Sequence, residues 1–264
     1  MYSSEIISLF NAALIGVVKA KEIILDYYQT DFDVDYKSDN SPVTIADKLA
    51  DNAIREALAT TKLPIISEEH DIPAYEQRKE FSRYWLVDPL DGTKDFVRKN
   101  GEFTINVALI DDCQVVAGLI CVPVTNELYF GGKHYPSVKY QGPMLTLTLE
   151  EMLLDCVKLP VKTNQKPVMV TSRNGDLKTM EKLANTHLKT ANFSLQRLGS
   201  SLKLCWLAEG KADFYPRLSP CMEWDIAAGQ AIVEGAGRVV LDYQTQKGLV
   251  YNKESLLSSW FIGK

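Results

Sequence analysis

The run Asp88-Pro89-Leu90-Asp91-Gly92-Thr93 constrains this chain more than any other part of its sequence. Pro89 has a fixed φ and no N–H, and it biases Asp88 toward extended backbone, so no regular helix carries both aspartates. The apolar run Tyr84-Trp85-Leu86-Val87 ahead of it reads as a strand. That strand is expected to end at Asp88, with a tight turn returning Asp91 beside it. Two carboxylates so placed repel each other unless cations lie between them, and hard divalent ions with oxygen ligands are the usual answer. Gly92-Thr93 then opens a helix-like segment, Lys94-Asp95-Phe96-Val97, whose free backbone N–H groups suit a phosphate. Metal-type carboxylates directly ahead of an anion-binding turn point to metal-assisted phosphoryl chemistry. Read alone, the hexapeptide also fits an Asp-Pro turn before a capped helix.

Three further segments bear on that choice. Glu68 and Glu69 come after the short apolar run Leu63-Pro64-Ile65-Ile66 and lie twenty residues before Asp88. Adjacent carboxylates leaving a buried strand cost stability without a cation, though a solvated loop would also hold them. Trp224-Asp225 starts the helix-forming stretch Asp225 to Gly235, where capping alone would account for the aspartate. Thr44 and Asp47 have the spacing of a capping pair ahead of Leu49, Ala53, Ile54 and Leu58.

Elsewhere, Ile6 to Val18 has helical apolar spacing, and the polar stretch Asp31 to Asn40 reads as a loop or hairpin. Phe103 to Ile110, Val115 to Val124 and Glu127 to Phe130 read as strands whose short polar connections favour antiparallel pairing. Beyond about Tyr140, strands at Val168-Met169-Val170, Ala212 to Tyr215 and Arg238 to Leu241 alternate with helices near Leu177–His187, Ser200–Glu209 and Asp225–Gly235. Such alternation implies an α/β half. With 264 residues, and roughly 150 per domain, two parts are expected: an α+β half over 1–142 with most of the metal ligands, and an α/β half over 143–264 with Asp225 and the substrate contacts.

Composition narrows the partners. The 29 basic and 34 acidic residues leave a formal charge of −5, so no overall field attracts a nucleic acid polymer or an anionic membrane, and an anionic ligand must be held locally. Cys113, Cys121, Cys156, Cys205 and Cys221 are odd in number and without Cys-x-x-Cys pairing, which points to buried thiols in a reducing compartment. Met1 to Glu5 has no basic leader, and the apolar run Val115 to Val124 is too short for a transmembrane segment. The expected location is the cytoplasm, with contact at the inner membrane surface left open, and the expected state a monomer or homodimer. Gly235-Ala236-Gly237 lacks the third glycine of a dinucleotide fingerprint, since Val240 stands in its place.

Ser41-Pro42-Val43-Thr44 with Ala46-Asp47, Ser67-Glu68-Glu69, Trp85 to Thr93, and Trp224-Asp225 with Ala227 and Gly229 share an order and spacing with a known group of enzymes. Over nearly its whole length the sequence resembles the lithium-sensitive, magnesium-dependent phosphomonoesterase superfamily that includes inositol monophosphatase and fructose bisphosphatase. The resemblance implies that family's fold, an α+β and α/β layered αβαβα sandwich. Lys94-Asp95-Phe96, Asn100 to Thr104, Gly199-Ser200-Ser201-Leu202-Lys203 and Tyr215-Pro216-Arg217 resemble most the branch of CysQ-type 3'(2'),5'-bisphosphate nucleotidases.

The resemblance also implies a ligand set and a division of labour. Two to three Mg²⁺ ions would be held by Glu68, Asp88, the Leu90 carbonyl, Asp91 and Asp225. Gly92 and Thr93 would donate to the scissile phosphate, which Asp91 and Asp225 also approach. Thr93 and Asp47, with Glu68, would orient and deprotonate the attacking water, and the leaving 3'-oxygen would be protonated by water near Asp225. Ser200, Lys203 and Arg217 would hold the second phosphate and the ribose side of a small nucleotide. The implied reaction converts adenosine 3',5'-bisphosphate to AMP and phosphate, with 3'-phosphoadenylyl sulfate as a further substrate and a link to sulfate assimilation. An inositol or sugar phosphatase and a non-catalytic nucleotide-binding regulator are the alternatives. His70, His134 and His187 match no part of this scheme. The family run Ser-Arg-Ser-His reads Ser172-Arg173-Asn174-Gly175 here, so a histidine contact to base or phosphate is missing or replaced by Asn174.

Overall fold

A computed structural model describes residues 2–30, 34–36, 42–161, 166–173 and 177–264. Asn174 and Gly175 lie outside the described residues. Helix α1 (Ser4–Tyr28) starts after Ser3, whose hydroxyl accepts from the Ile6 N–H. The hairpin β1 (Val34–Tyr36) and β2 (Pro42–Thr44) leads into α2 (Ile45–Ala59). A seven-stranded sheet comes next, in the spatial order β3 (Ile65–Ser67), β4 (Arg83–Asp91), β5 (Thr104–Asp111), β6 (Gln114–Val122), β7 (Glu127–Gly132), β8 (Tyr135–Gln141) and β9 (Val157–Lys158). The short helices α3 (Tyr75–Arg78), α4 (Thr93–Val97) and α5 (Leu149–Leu154) lie in its connections. Within this sheet β3 and β4 run parallel, and every other neighbouring pair is antiparallel.

The remaining elements are β10 (Val168–Thr171), α6 (Leu177–Leu188), β11 (Ser194–Arg197), α7 (Leu202–Glu209), β12 (Tyr215–Arg217), α8 (Ala227–Gly235), β13 (Val240–Asp242) and β14 (Phe261–Gly263). Strands and helices alternate as expected, but β10 and β11 are parallel whereas β12, β14 and β13 form an antiparallel sheet. The expected strand at Ala212 to Tyr215 lies later, at β12, and Arg217 is its last residue. Strands β8, β9, β11 and β14 have no counterpart in the sequence pattern. Pro136 and the polar residues of β8 and β11 break apolar alternation, and β14 is three residues long.

Period-two alternation along the strands divides the core. Trp85, Val87, Ile105, Val107, Leu109 and Leu119 pack with Phe10, Val17, Ile54 and Leu58 of α1 and α2. Tyr84, Leu86, Ala108, Ile110 and Ile120 face the other way, onto Leu204, Leu207, Ala228 and Ile232 of α7 and α8. The small antiparallel sheet repeats the pattern: Phe261 joins the α7–α8 core, and Ile262 packs with Met180 and Ala184 of α6. The layers are therefore α1–α2, large sheet, α7–α8, small sheets, α6, which is the expected αβαβα arrangement. No helix among the described residues is long and apolar enough to cross a membrane.

Sheet and α8 approach closely at Gly118, where a Cβ would stand 2.4 Å from the carbonyl oxygen of Ala228. Both are backbone positions, so neither can swing aside. Gly118→Ala is expected to cost about 2 kcal/mol by overpacking and to lower Tm by roughly 5 °C. An unchanged thermal melt would show that α8 is free to shift.

Candidate active site

Parallel pairing sets Ile66 against Leu86 and Ser67 against Val87. Ile66 and Leu86 both face the α7–α8 layer, so alternation turns Glu68 and Asp88, two residues on, toward that same face. The Glu68 N–H donates to the Val87 carbonyl at 3.2 Å, which carries the pairing one residue past β3. The twenty-residue separation of Glu68 and Asp88 in sequence is thus a side-by-side register in space.

The strand does not end at Asp88, as expected, but runs on to Asp91. Asp88 pairs with Asn106 and Asp91 with Thr104, so three residues on β4 are spanned by two on β5. That extra residue is a β-bulge at Pro89, which has no N–H to give the ladder. Plain alternation would aim Asp91 away from Asp88, and the bulge returns it to the cleft face. A bend in one strand does the work expected of a turn.

Asp225 arrives from the other layer. The cap of α8 is Ile226, and the Asp225 carboxylate makes no capping bond to that helix. Its Oδ2 instead accepts from the Met222 N–H at 3.0 Å. Glu68, Asp88 and Asp225 each bring a carboxylate oxygen to within 4.8 Å of the others. Burial, then Glu68, Asp91 and Asp225, pushes the Asp88 carboxyl well above the usual carboxylate range. Burial, then Asp91 and Glu68, does the same to Asp225. Among the described residues Asp88, Asp91 and Asp225 have no Lys or Arg partner within ion-pair distance. Buried carboxylates that crowd together with only hard oxygen donors fit a divalent cation such as Mg²⁺.

Asp47 lies behind this cluster, 1% exposed. Its Oδ2 accepts from the Thr44 N–H at 2.8 Å and the Thr44 hydroxyl at 2.6 Å, so the expected capping pair is present. Its other oxygen, Oδ1, accepts from the Thr93 hydroxyl at 3.0 Å. The Leu90 carbonyl competes for that proton from 3.3 Å. Burial raises the Asp47 carboxyl, and these hydrogen bonds oppose the shift.

Glu68, Asp88, Leu90, Asp91, Gly92, Thr93, Ser200, Lys203, Arg217 and Asp225 all line one cleft of about 570 Å³. The basic side differs in detail from the sequence expectation. Ser200 precedes α7 with a left-handed φ of 41°, so it and Lys203 do not share a helix start. Lys203 is buried, and its ammonium donates to the carbonyls of Leu198 at 3.1 Å and Ser200 at 2.5 Å. Burial pulls its pKa down to about 8, against Asp91. Arg217 donates from Nη1 to the Ser172 hydroxyl at 2.5 Å and from Nη2 to the Pro220 carbonyl at 3.0 Å. Among the described residues its buried Nε has no hydrogen-bond partner.

Sequence reasoning missed Ser201 and Asn106. The Ser201 hydroxyl reaches Asp91 Oδ2 at 2.9 Å and the Asp225 carbonyl at 2.7 Å, and it accepts from Asn106 Nδ2 at 3.0 Å. It ties α7 to both metal-type aspartates. Ser201 lies inside the run Gly199 to Lys203, which the sequence does mark, but Asn106 is one polar residue in an apolar strand and nothing local distinguishes it. Of the histidines outside the scheme, His70 meets Arg55 and His187 stacks on Phe214.

Compared with known families, residues 8–261 match the model of the inositol monophosphatase family. The chain belongs to that family. Among the curated members, the 3'(2'),5'-bisphosphate nucleotidase CysQ of Escherichia coli K12 is 40% identical over 235 residues, 87% of each chain. The protein of the same name from Salmonella typhimurium is 38% identical over 92% of this chain and 94% of its own. The crystal structure of CysQ from Bacteroides thetaiotaomicron superposes with a TM-score of 0.86 at 41% identity, covering 96% of this chain and 95% of the other. Inositol monophosphatase family members are metal-dependent phosphatases, and the carboxylate cluster fits that chemistry.

The aspartates make a measurable prediction about stability. A carboxyl whose folded pKa is raised adds its stability at low pH and loses it as pH rises through the raised value. At neutral pH without metal, Asp88 therefore works against the fold. Asp88→Asn is expected to raise Tm in EDTA by about 3 °C or more and to erase the Tm rise that Mg²⁺ gives the wild type. A variant that melts lower in EDTA, or keeps the Mg²⁺ gain, would contradict the site.

Proposed function

We propose that this chain is a Mg²⁺-dependent 3'-phosphatase that converts adenosine 3',5'-bisphosphate to AMP and phosphate, with 3'-phosphoadenylyl sulfate as a second substrate, in support of sulfate assimilation. The observation that carries the reading is one cleft lined both by metal-type carboxylates and by the cationic side chains of Lys203 and Arg217. The CysQ relatives support the same substrate, because they carry the name 3'(2'),5'-bisphosphate nucleotidase.

In this mechanism Glu68, Asp88, Asp91, Asp225 and the Leu90 carbonyl hold two to three Mg²⁺ ions. When bound, these lower the pKa of water and offset charge on the attacking and leaving oxygens. The Thr93 hydroxyl already gives its proton to Asp47 Oδ1, so its lone pairs face outward as acceptors. The attacking water donates to Thr93, and Asp47 receives the proton through it. Thr44 holds the second Asp47 oxygen and fixes the carboxylate for that transfer. Glu68 aids the same water. The backbone N–H groups of Gly92 and Thr93 donate to the scissile phosphate, and the leaving 3'-oxygen takes its proton from water beside Asp225.

The second phosphate lies with Ser200, Lys203 and Arg217. Two of the three N–H bonds of Lys203 are spent on carbonyls, so one remains for substrate. The Arg217 Nε, without a partner among the described residues, offers a charge-assisted donor, and a phosphate oxygen is its natural acceptor. Five free cysteines fit the reducing cytoplasm. No observation carries a contact with the inner membrane surface, and it is not retained.

Phosphate release from adenosine 3',5'-bisphosphate, inositol 1-phosphate and a sugar monophosphate tests the reading. The bisphosphate is expected to give the highest kcat/KM by at least about a hundredfold, as an extra buried charge contact provides. Release is expected to cease in EDTA. A preference for inositol 1-phosphate would overturn the substrate, and turnover in EDTA would overturn the metal mechanism.

A further inference from the structure

The cleft also carries an ionic cluster that the proposed reaction leaves unused. Arg173, two residues past β10, donates from Nη1 to Asp95 Oδ1 and from Nη2 to Glu102 Oε2, each at 2.7 Å. Asp95 belongs to α4, two residues beyond Thr93, and Glu102 to the connection that leads into β5. Glu102 Oε2 also accepts the Gly199 N–H at 2.6 Å. One guanidinium and one carboxylate thereby link α4, the approach to β5, the exit of β10 and the 198–200 loop.

The loop has little room to move. A Cβ on Gly199 would stand 2.4 Å from Asp95 Oδ2 and 2.6 Å from the Glu102 carbonyl. The next residue, Ser200, is held at a left-handed φ of 41°, which a serine adopts only where its surroundings impose it. The carbonyls that flank Gly199, those of Leu198 and Ser200, are the two that fix the Lys203 ammonium. Displacing this loop therefore displaces the lysine. Arg173 lines the cleft, but both of its terminal nitrogens already donate to carboxylates, so its charge is matched by Asp95 and Glu102 before any phosphate arrives.

We propose that Arg173 is a positioning residue for substrate recognition: with Asp95 and Glu102 it latches the 198–200 loop, and so sets the Lys203 ammonium against the second phosphate without touching substrate itself. This rests on the reading that Lys203 takes that phosphate. The sequence run Ser172-Arg173 invites the opposite view, of an arginine that binds the nucleotide directly, and the two views differ on Glu102. If Arg173 bound phosphate, removing Glu102 would free it and strengthen binding. If Arg173 latches the loop, removing Glu102 breaks the same latch.

Steady-state kinetics of Arg173→Ala, Arg173→Lys, Glu102→Ala and the Ala/Ala double variant, on adenosine 3',5'-bisphosphate and on adenosine 3'-monophosphate, decide between them. The latch predicts that each single Ala variant raises KM for the bisphosphate about tenfold, with kcat changed less than about threefold. Adenosine 3'-monophosphate, which lacks the second phosphate, is expected to be handled as by the wild type. The double variant is expected to be no worse than either single one, as for residues acting as one unit, and Arg173→Lys to recover part of the loss. Hydrogen exchange at the Gly199 amide, with no substrate present, is expected to speed up about tenfold in both Ala variants. An unchanged or lower KM in Glu102→Ala, or additive losses in the double variant, would overturn the latch. Wild-type enzyme that does not distinguish the two nucleotides would overturn the substrate reading instead, and unchanged Gly199 exchange would then still overturn the latch.

Discussion

Repulsion among buried carboxylates is the constraint on which the rest of this structure depends. Asp88 is 1% exposed and stands among Glu68, Asp91 and Asp225. In water such a group would separate or protonate; here the fold prevents separation, and Asp88, Asp91 and Asp225 have no Lys or Arg partner within ion-pair distance among the described residues. Burying like charges is normally a fault in a protein. It becomes a function when a divalent cation supplies the missing charge, and the cost of the empty arrangement becomes affinity for the ion.

The fold spends its most specific devices on this cluster. The parallel pair β3–β4 sets Glu68 beside Asp88. A bulge at Pro89 brings Asp91 onto the same face. Helix α8 packs closely enough on β6 that Gly118 has no space for a side chain, and this brings the residue before its cap, Asp225, over the strand ends. Ser201 then bonds to Asp91 and to the Asp225 carbonyl, so the basic loop is tied to the acidic cluster at one hydroxyl. The formal charge of −5 overstates how negative the cleft is once cations sit on these acids, so an acidic protein can bind a polyanion there.

Much of this is legible in the sequence, and the exceptions share a cause. Asp88, Asp91 and the phosphate-type turn are readable because Pro89 and Gly92 restrict the backbone within a few residues. Asp225 can be read only ambiguously, since an aspartate ahead of a helix is usually a cap. The Met222 N–H, three residues back in the loop ahead of the helix, donates to that carboxylate instead. The bulge at Pro89 looks like a turn in sequence because strand pairing across β5 has no local signature. Asn106 and the Arg173–Glu102–Gly199 contacts join residues remote in sequence, and no periodicity reports such pairings. Lys203 is recognisable in sequence but not its setting: Ser200 lies outside α7, and only the three-dimensional structure shows the ammonium turned onto two carbonyls.

The most direct measurement is calorimetric titration of the metal-free protein with Mg²⁺ at several pH values, in buffers of different ionisation enthalpy. If the raised carboxyls of Asp88 and Asp225 are the ligands, binding displaces protons from them. Affinity should then strengthen as pH rises, with a buffer-dependent heat that reports proton release. Mg²⁺ binding that is independent of pH and buffer, or no binding at all, would contradict the account.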